Sequence, residues 1–466
     1  MAKLVWRVKL VAELRPGVTT ETEVARIERD EQAGLAELGL QLAEAKQLTA
    51  ALQAEIVPAQ VAVLGERRRN CLACGRVLAS KGHYGARFRS LFGDVPVRVR
   101  RLLVCPCQDV IEGGAKSFAA LDFGGDGVAP ELAYVTARYA ALVPFGKVAT
   151  LLSELLPIDG VQNTGTVRNR TLRVGQDIVR QHLSDNAEQP VMQAGGPVVV
   201  GLDGGYVRSR HRQDEQHFEV VAGKVIRADG AQHRFAFARN GQATASEAFQ
   251  QALAAAGVHV DTPATVLCDG DAGLWRLQRE ALPDATIVLD WWHAAVRFEH
   301  ALQLARGLGA GPADTHLADK AVRGLERAKW RLWHGRWAGC RRKLAALCRW
   351  TERKPLRDVA GIDRLQRHAS ELLGYLERNE DVLVHYAARR RCGEPISTAF
   401  VESVVNEIIA KRTNKKQQMR WNRAAVQPFL DVRTAVLNDT LEDAFRSRHP
   451  GFRPANDDHM ATAAAA

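Results

Sequence analysis

The feature that most constrains the fold is a run of strand and helix patterns between residues 195 and 293. A Gly-Gly-Pro linker at 195–197 precedes Val198 to Asp203, a fully apolar strand that ends in a carboxylate. Period-two patterns predict strands at 217–226 and 233–239, and the Asp-Gly turn between them is typical of antiparallel neighbours. The segments that follow predict a helix at 244–256, a strand at 262–269, a helix at 274–281 and a strand at 285–290. This order, βββαβαβ, predicts a mixed sheet with helices packed on it.

Two of these strands end in aspartates, Asp203 and Asp269. A single aspartate at a strand end is usually a turn or capping residue, but carboxylates at adjacent strand ends could hold two metal ions about 3.5–4 Å apart. Magnesium prefers such hard oxygen ligands. Asp271 is a rival to Asp269, which is favoured because it directly ends its apolar strand.

Four of the eight cysteines are clustered, as Cys71 with Cys74 and Cys105 with Cys107. Two close pairs brought together by a hairpin supply the thiolates of a tetrahedral zinc site, whereas disulfides are improbable in a reducing cytosol. The partly alternating segment 93–105 predicts the strand that delivers the second pair. A zinc ribbon is therefore expected, with four unrelated buried thiols as the alternative. Surrounding arginines suit phosphate contact or a solvated basic face: Arg67, Arg68, Arg69, Arg87, Arg89, Arg98, Arg100 and Arg101.

Helical patterns lie on both sides of the cysteine module. Residues 20–60 are rich in Ala, Leu and Glu at helical spacing, which predicts one long helix or two shorter ones. The amphipathic run 145–156 and a second helix capped by Asn163 or Thr164 together resemble a helix-turn-helix. The second helix would present Arg168, Arg170 and Arg173 to a DNA groove, and two ordinary packed helices are an equal alternative.

Length and charge narrow the class of protein. A chain of 466 residues exceeds what one hydrophobic core supports, so three or four modules are expected. The formal net charge of +11 favours a polyanionic partner, for which nucleic acid is the natural candidate. No run of about 18 apolar residues and no signal peptide is evident, which predicts a cytoplasmic protein.

Residues 294–396 lack strand alternation and predict an all-helical insertion. Trp330, Trp333 and Trp337 fall on one helical face, and packing in a core is the favoured interpretation over stacking on bases. Residues 441–466 are predicted to be a disordered tail, because their end is rich in Pro, Asp, Asn and Ala.

Four segments resemble the Mutator-like superfamily of DDE transposases, and more closely the bacterial insertion-sequence transposases of the ISKra type. They occur in the superfamily's order, and the resemblance covers about residues 60–440. The segments are Gly201-Leu-Asp203-Gly-Gly, Leu267-Cys-Asp269-Gly, Asp290-Trp-Trp-His293 and Phe400-Val-Glu402-Ser-Val-Val-Asn406-Glu-Ile-Ile-Ala-Lys-Arg412.

The resemblance implies a ribonuclease H-like catalytic core and a set of site residues. The third carboxylate would be Glu402, with Glu407 as the competing choice, and magnesium or manganese would be held by Asp203, Asp269 and Glu402. Asp290 and His293 would lie near the active site or the flanking DNA. Arg412, Lys415 and Lys416 follow the proposed Glu402 helix, where they would face phosphates of the reacting strand, and a solvated basic turn is an equal alternative.

The activity implied is cleavage and strand transfer of an insertion sequence by two-metal phosphoryl transfer. The partners would be DNA, as terminal inverted repeats and target, and further copies of the chain in a homodimer or larger synaptic assembly. Such a protein would be associated with the bacterial nucleoid in the cytoplasm.

Two alternatives remain open. One is a ribonuclease H-like nuclease that does not join strands, which an absence of strand-transfer products would indicate. The other is a catalytically inactive zinc-dependent DNA-binding protein derived from a transposase. The presence of both Asp203 and Asp269 argues against the second.

The fold class predicted is thus multidomain α+β, with a helical and zinc-ribbon DNA-binding region followed by a ribonuclease H-like α/β core that an all-α insertion interrupts. The predicted segments are 1–60 (strand and helical), 61–120 (zinc-ribbon-like), 121–194 (helical), 195–293 (first part of the core), 294–396 (insertion), 397–440 (C-terminal core helices) and 441–466 (tail).

Overall fold

The computed structural model describes residues 3–107, 116–158, 163–185, 196–211, 216–309, 315–397, 403–414 and 419–453. The protein is mixed α+β with several sheets, as predicted. It divides into two compact units. Unit 1 reaches Ile178 and resumes at Asp439, and unit 2 runs from Val179 to Asn438.

Unit 1 contains two antiparallel sheets and several helices. Its elements are β1 (Lys3–Arg15), β2 (Val18–Asp30), α1 (Leu42–Arg67), β3 (Ser80–Ser90), β4 (Gly93–Leu103), β5 (Ser117–Ala119), α2 (Pro130–Leu142), α3 (Phe145–Leu155), α4 (Thr164–Asp185, crossing the unit boundary) and α14 (Leu441–Arg448). β1 pairs only with β2 among the described strands, and β3, β4 and β5 form the second sheet. Val57 and Val61 of α1 pack on the valines of β4.

The helix predicted over 20–60 is wrong in its first half. Residues 18–30 form β2, which pairs with β1 along its length. Thr, Val and Ile are frequent in this segment, and their branched side chains fit a strand better than a helix. The helix begins only at Leu42.

One stretch of unit 1 differs from the expectation of no membrane-spanning run. By length and composition alone, the helical segment Leu35–Arg67 could cross a membrane. Within the unit, α1 packs Val57 and Val61 against β4, and 17% of the apolar window is buried. Length and composition are weak evidence for a membrane span in such a helix.

α3 and α4 appear where the sequence predicted them. Asn163 caps α4, since its Oδ1 accepts a hydrogen bond from the Thr166 amide at 2.8 Å. The C-terminal segment differs from its prediction, because Leu441–Arg448 forms α14 rather than a disordered tail. Phe445 of α14 packs on Tyr134 of α2, with ring centroids 5.4 Å apart. Residues 454–466 lie outside the described part of the chain.

Unit 2 is built on a five-stranded sheet in the order β10-β9-β6-β7-β8. Its elements, in the predicted βββαβαβ order, are β6 (Val198–Arg208), β7 (His217–Ile226), β8 (Gln232–Ala238), α5 (Gln242–Ala255), β9 (Ala264–Cys268), α6 (Ala272–Ala281) and β10 (Thr286–Leu289). β6, β7 and β8 are antiparallel neighbours, whereas β9 and β10 run parallel to β6.

The two faces of β6 have different surroundings. Val198, Val200 and Leu202 pack in the core under α5 and α6. Successive side chains of a strand point to opposite faces, so Gly201, Asp203 and Gly205 belong to the other face.

Helices follow the sheet, as predicted for the insertion. They are α7 (Trp291–Arg306), α8 (Thr315–Trp333), α9 (Trp337–Thr351), α10 (Ile362–Arg378), α11 (Tyr386–Arg391), the π-helix α12 (Asn406–Asn414) and α13 (Arg423–Leu437). The predicted stripe on a single helical face is wrong, because α8 ends at Trp333 and Trp337 begins α9. Trp333 packs on Trp291 and Tyr386, with centroid distances of 4.7 and 6.4 Å. Trp330 is 51% exposed and lies 5.3 Å from the guanidinium of Arg336.

Candidate functional site

The four clustered cysteines come together in unit 1. Cys71 and Cys74 follow α1, and Cys105 and Cys107 follow β4, so the β3–β4 hairpin brings the pairs into contact. All four Sγ atoms lie within 4.8 Å of one another, and the Cys71–Cys107 and Cys74–Cys105 distances are both 3.5 Å. The predicted cluster is confirmed, and it could hold a metal ion such as zinc.

Hydrogen bonds from the backbone and contacts among the thiols shift the pKa values of these cysteines in opposite directions. Amide groups of Cys74 and Ala73 donate to Cys71 and lower its pKa to about 6. Hydrogen bonding with Cys105, then Cys74 and Cys71, raises the pKa of Cys107 to about 12. A thiol cluster of this kind fits a cation, because metal binding displaces the protons that mutual repulsion would otherwise retain.

The second candidate site lies at one edge of the sheet in unit 2. Gly201 of β6 pairs with Leu267 of β9, and Leu289 of β10 pairs with Cys268. Continuing this register by one or two residues aligns Asp203, Asp269 and Asp290 in one row across three parallel strands. The carboxyl ends of parallel strands are where open α/β sheets usually bind ligands.

The electrostatics of Asp203 reflect these neighbours. Burial raises the pKa of Asp203 to about 6, and the charges of Asp269 and Asp290 act in the same direction. His293 and the Gly204 amide, 2.8 Å from Oδ1, lower it only in part. Among the described residues, only the four cysteines bring three or more metal-ligating atoms within 4.8 Å of one another. The three aspartates are therefore more widely spaced than the ligands of a compact metal site.

The geometry favours Asp269 over its rival Asp271. Asp271 is the N-cap of α6 and accepts hydrogen bonds from the Gly273 and Leu274 amides, at 2.9 and 3.0 Å. It also lies 3.8 Å from Arg239. Asp271 is therefore accounted for by local structure, and Asp269 remains in the aspartate row.

The Asp290-Trp-Trp-His293 tetrad begins α7. Asp290 is fully buried and caps the helix, accepting from the Trp292 amide at 2.7 Å. His293 Nε2 lies 3.6 Å from Asp290 Oδ2. This pairing gives both residues a structural role, and it also holds the His293 ring beside Asp203, whose pKa it lowers.

The two tryptophans of the tetrad point into different surroundings. Trp291 packs among Trp333 and Tyr386 in the helical core. Trp292 is 37% exposed, and its ring meets His293 edge-on at 5.0 Å. An exposed aromatic ring therefore lies next to the aspartate row.

The chain before and within α12 packs on the face of β6 that carries Asp203. A Cβ atom placed on Gly205 would lie 2.7 Å from Ile409 Cδ1 and 3.4 Å from Val405 Cγ1, which shows how closely the helix approaches. The sequence analysis missed Gly205, although a glycine inside a strand is a signal for close approach of another segment. The competing carboxylate Glu407 is ion-paired with Arg234 of β8 at 3.3 Å. Glu402, Lys415 and Lys416 lie outside the described residues.

Two arginines predicted to contact DNA are buried. Arg170 is only 5% exposed, donates to Thr136, and has its pKa lowered by burial. Arg412 is 1% exposed and lies 5.0 Å from the Phe429 ring, with a pKa lowered to about 10 by burial. These two predictions are wrong, because side chains covered by the protein cannot reach phosphates in this conformation.

The other two arginines of α4 remain accessible. Arg173 is exposed and ion-paired with Asp126, and Arg168 is partly exposed. With Arg170 buried between them in sequence, the three do not form the shared groove-facing surface that the helix-turn-helix interpretation required.

Comparison with models of known protein families gave no match. Comparison with curated proteins gave no match either.

Proposed function

We propose that this protein is a DDE transposase, which cleaves and joins DNA with a ribonuclease H-like core in unit 2. The observation that carries the proposal is the parallel register of β6 and β9, which aligns Asp203 with Asp269 when it is extended by two residues, together with the raised pKa of Asp203. Two carboxylates that repel one another in a partly buried site are typical of a place where cations bind.

The arrangement of the sheet supports the same conclusion. Three antiparallel strands, β6 to β8, continue into two parallel strands, and the aspartate row lies at the carboxyl ends of the parallel group. Helices cover the face of β6 opposite Asp203, so that the site faces the insertion and the segment before α12. This is the order of elements expected of a ribonuclease H-like core.

For the third carboxylate we favour Glu402 over Glu407. Val405 and Ile409 approach Gly205, two residues beyond Asp203 on the same face of β6. The resemblance places the third carboxylate at Glu402, which is three residues before Val405 in the sequence. Glu407, in contrast, is ion-paired with Arg234 of β8, a strand that β7 separates from β6 in the sheet.

The donor set fits divalent magnesium or manganese, because it consists of carboxylates whose mutual repulsion a cation would relieve. Such ions, held by Asp203, Asp269 and Glu402, would supply activation of the attacking hydroxyl and stabilisation of the leaving 3′ oxygen. The chain's own groups position them: the Gly204 amide orients Asp203, and the Asp271 amide donates to Asp269 Oδ1 at 3.0 Å.

Trp292 and His293 follow Asp290 in the first turn of α7 and are candidates for contact with substrate. Exposed aromatic rings stack on unpaired bases, a contact worth about 1–3 kcal/mol for each base. We assign Trp292 this role for a nucleotide beside the reacting phosphate. His293 would contribute a ring nitrogen to the same strand while Asp290 fixes its orientation.

Unit 1 would recognise the element's ends. The cysteine cluster, holding zinc, would fix the β3–β4 hairpin, and exposed arginines including Arg168 and Arg173 would contact the DNA backbone. The formal charge of +11 supports a polyanionic partner. Synapsis of two ends would require two or more copies of the chain.

The experiment that tests this proposal is magnesium-dependent cleavage of labelled DNA that carries the terminal inverted repeats flanking the gene. Asp203→Asn, Asp269→Asn and Glu402→Gln should each abolish cleavage and retain end binding. Asp271→Asn and Glu407→Gln are matched controls that should retain cleavage, because asparagine also caps helices and Glu407 pairs elsewhere. Full activity in Asp203→Asn or Asp269→Asn would contradict the proposal, and loss only in Glu407→Gln would move the third ligand.

The nuclease without strand transfer is the second candidate, because the same carboxylate row supports hydrolysis of a phosphodiester. It predicts cleavage without joined products when target DNA is present.

A further inference from the structure

The β1–β2 hairpin is a ribbon with one apolar and one charged face. Pairing of Trp6 with Ile27 and of Val8 with Ala25 fixes the register. The mainly apolar face carries Leu4, Trp6, Val8, Leu10, Ala12, Ala25 and Ile27 with Thr20, Thr22 and Arg29, and the mainly charged face carries Lys3, Val5, Arg7, Lys9, Val11, Glu13, Glu21, Glu23, Arg26, Glu28 and Asp30. This division persists across the irregularity between Val8 and Lys9, where the pairing shifts.

Charges on the opposite face are matched across the strands. Lys3 pairs with Glu28 at 2.9 Å, Arg7 pairs with Glu23 at 3.6 Å, and Lys9 pairs with Glu21. The ribbon therefore presents balanced charge to water and does not continue the net positive charge of the chain. A polyanion such as DNA would gain little from it.

The apolar face is only partly covered by the described part of the chain, because α1 contacts both strands and Val8, Leu10 and Ile27 are half-buried. Trp6 is 51% exposed and Leu4 is 47% exposed. No third described strand joins this sheet. A two-stranded ribbon by itself is marginally stable in water, so two 13-residue strands with an apolar face call for a partner surface.

The apolar surface extends into the segment that follows the ribbon. Arg29, which pairs with Leu4 across the strands, donates to the carbonyls of Glu37 and Gly39 at 2.7 and 2.8 Å. This holds the connection to α1 against the Leu4 end of the ribbon. Its leucines are largely exposed: Leu35, Leu38, Leu40 and Leu42.

We propose that this surface, the apolar ribbon face with these leucines, is covered by the same surface of a second copy of the chain. Two identical amphipathic ribbons are complementary about a twofold axis, with both charged faces outward. A 13-residue ribbon is about 43 Å long and about 10 Å wide, which gives roughly 400 Å² for each copy. The leucines bring this area toward the roughly 800 Å² per partner of a stable interface. The inference does not depend on the proposed catalytic activity.

The test compares Val5 and Trp6, which are neighbours in the sequence and lie on opposite faces of the ribbon. Full-length wild type, Trp6→Lys and Val5→Lys are measured by size-exclusion chromatography with light scattering over a range of concentrations, without DNA. Wild type and Val5→Lys should be dimeric, because a lysine at position 5 lies opposite Glu28. The Trp6→Lys dimer should dissociate at protein concentrations at least about tenfold higher than those at which the wild-type dimer dissociates, since a charge in the apolar interface must be desolvated. A monomeric wild type, an unchanged Trp6→Lys, or equal loss in both variants would overturn the proposal.

Hydrogen exchange of the wild type separates loss of the interface from loss of the fold. Amides of β1 and β2 should become more protected as concentration rises through the dimer transition, while those of β4 should not change. Protection of the ribbon that is independent of concentration across that transition would place the interface elsewhere and overturn the proposal.

Discussion

Asp203 is the residue at which stability and the proposed function oppose one another. Its folded pKa of about 6 lies above the value of about 4 for an exposed aspartate. The folded state therefore holds the proton more tightly than the unfolded state does. The stability of the fold should fall as pH rises from about 4 to about 6 and stay lower above that window.

We predict that Asp203→Asn stabilises unit 2 at about pH 8 in magnesium-free buffer, by about 2 kcal/mol, because it removes a buried charge. The two proteins should converge below about pH 4, where the wild-type carboxyl is protonated in both states. Denaturant unfolding followed across this pH range measures the difference. A wild type that is as stable as the variant at high pH would contradict the raised pKa.

Trp292 is the residue whose exposure suggests a role in substrate binding. We predict that Trp292→Ala weakens binding of DNA with unpaired flanking bases by about fivefold to a hundredfold, the equivalent of one lost stacking contact. Trp292→Phe should retain most of the affinity. Fluorescence anisotropy with single-stranded and duplex ends measures both, and equal affinities of all three proteins would remove Trp292 from the site.

Single residues were predictable only where local pattern decides. Asp203 and Asp269 follow apolar strands, and that placement can be recognised from the sequence. The burial of Arg170 and Arg412 depends on Thr136 and Phe429, which are distant in sequence, so no local pattern distinguishes these arginines from exposed ones.

The approach of the α12 region to β6 depends on the absence of a side chain at Gly205. We predict that Gly205→Ala lowers DNA cleavage by about tenfold or more while unit 2 remains folded, because the added Cβ would lie 2.7 Å from Ile409 Cδ1 and this buried side chain would have to move. Gly324→Ala in α8 is the control, since nothing lies within 4 Å of its Cβ position. It should retain cleavage and gain about 0.5–1 kcal/mol of stability. Equal activity of Gly205→Ala and wild type would exclude this coupling.

The β3–β4 hairpin is the element that the cysteine cluster should stabilise. We predict one zinc ion per chain by elemental analysis, and its loss in Cys107→Ser. Cys392→Ser, which removes an exposed cysteine outside the cluster, should keep the metal. Chelation should lower the melting temperature of wild type and of Cys392→Ser alike. Full zinc content in Cys107→Ser would contradict the assignment.

Elements were predictable where one periodicity was dominant. The βββαβαβ order followed from apolar runs and turn residues between 198 and 290. β2 was misassigned because its charged residues also suit a helix and outweighed its branched Thr, Val and Ile in the interpretation, although these fit the strand that pairs with β1. The close packing of α12 on β6 joins parts of the chain far apart in sequence, which periodicity cannot reveal.

At the scale of the molecule, the division into units does not follow the chain in order. Residues from Asp439 return to unit 1, where Arg448 pairs with Asp177 at 2.5 Å. The expectation included a core interrupted by an insertion but no return of the chain to the N-terminal modules, since composition marks linkers but not returning segments. The α14 segment was therefore assigned to a tail.

We propose that unit 2 joins DNA strands through Asp203 and Asp269. The most direct test of this proposal supplies the full chain with terminal-repeat DNA already cut to a 3′-hydroxyl end, target plasmid and magnesium, and measures covalent joining of the two. We expect joined products with wild type and with Asp271→Asn, and none with Asp203→Asn or Asp269→Asn. Joining by either of the last two variants would contradict it, and wild type that cuts uncut ends but never joins them would establish the nuclease instead.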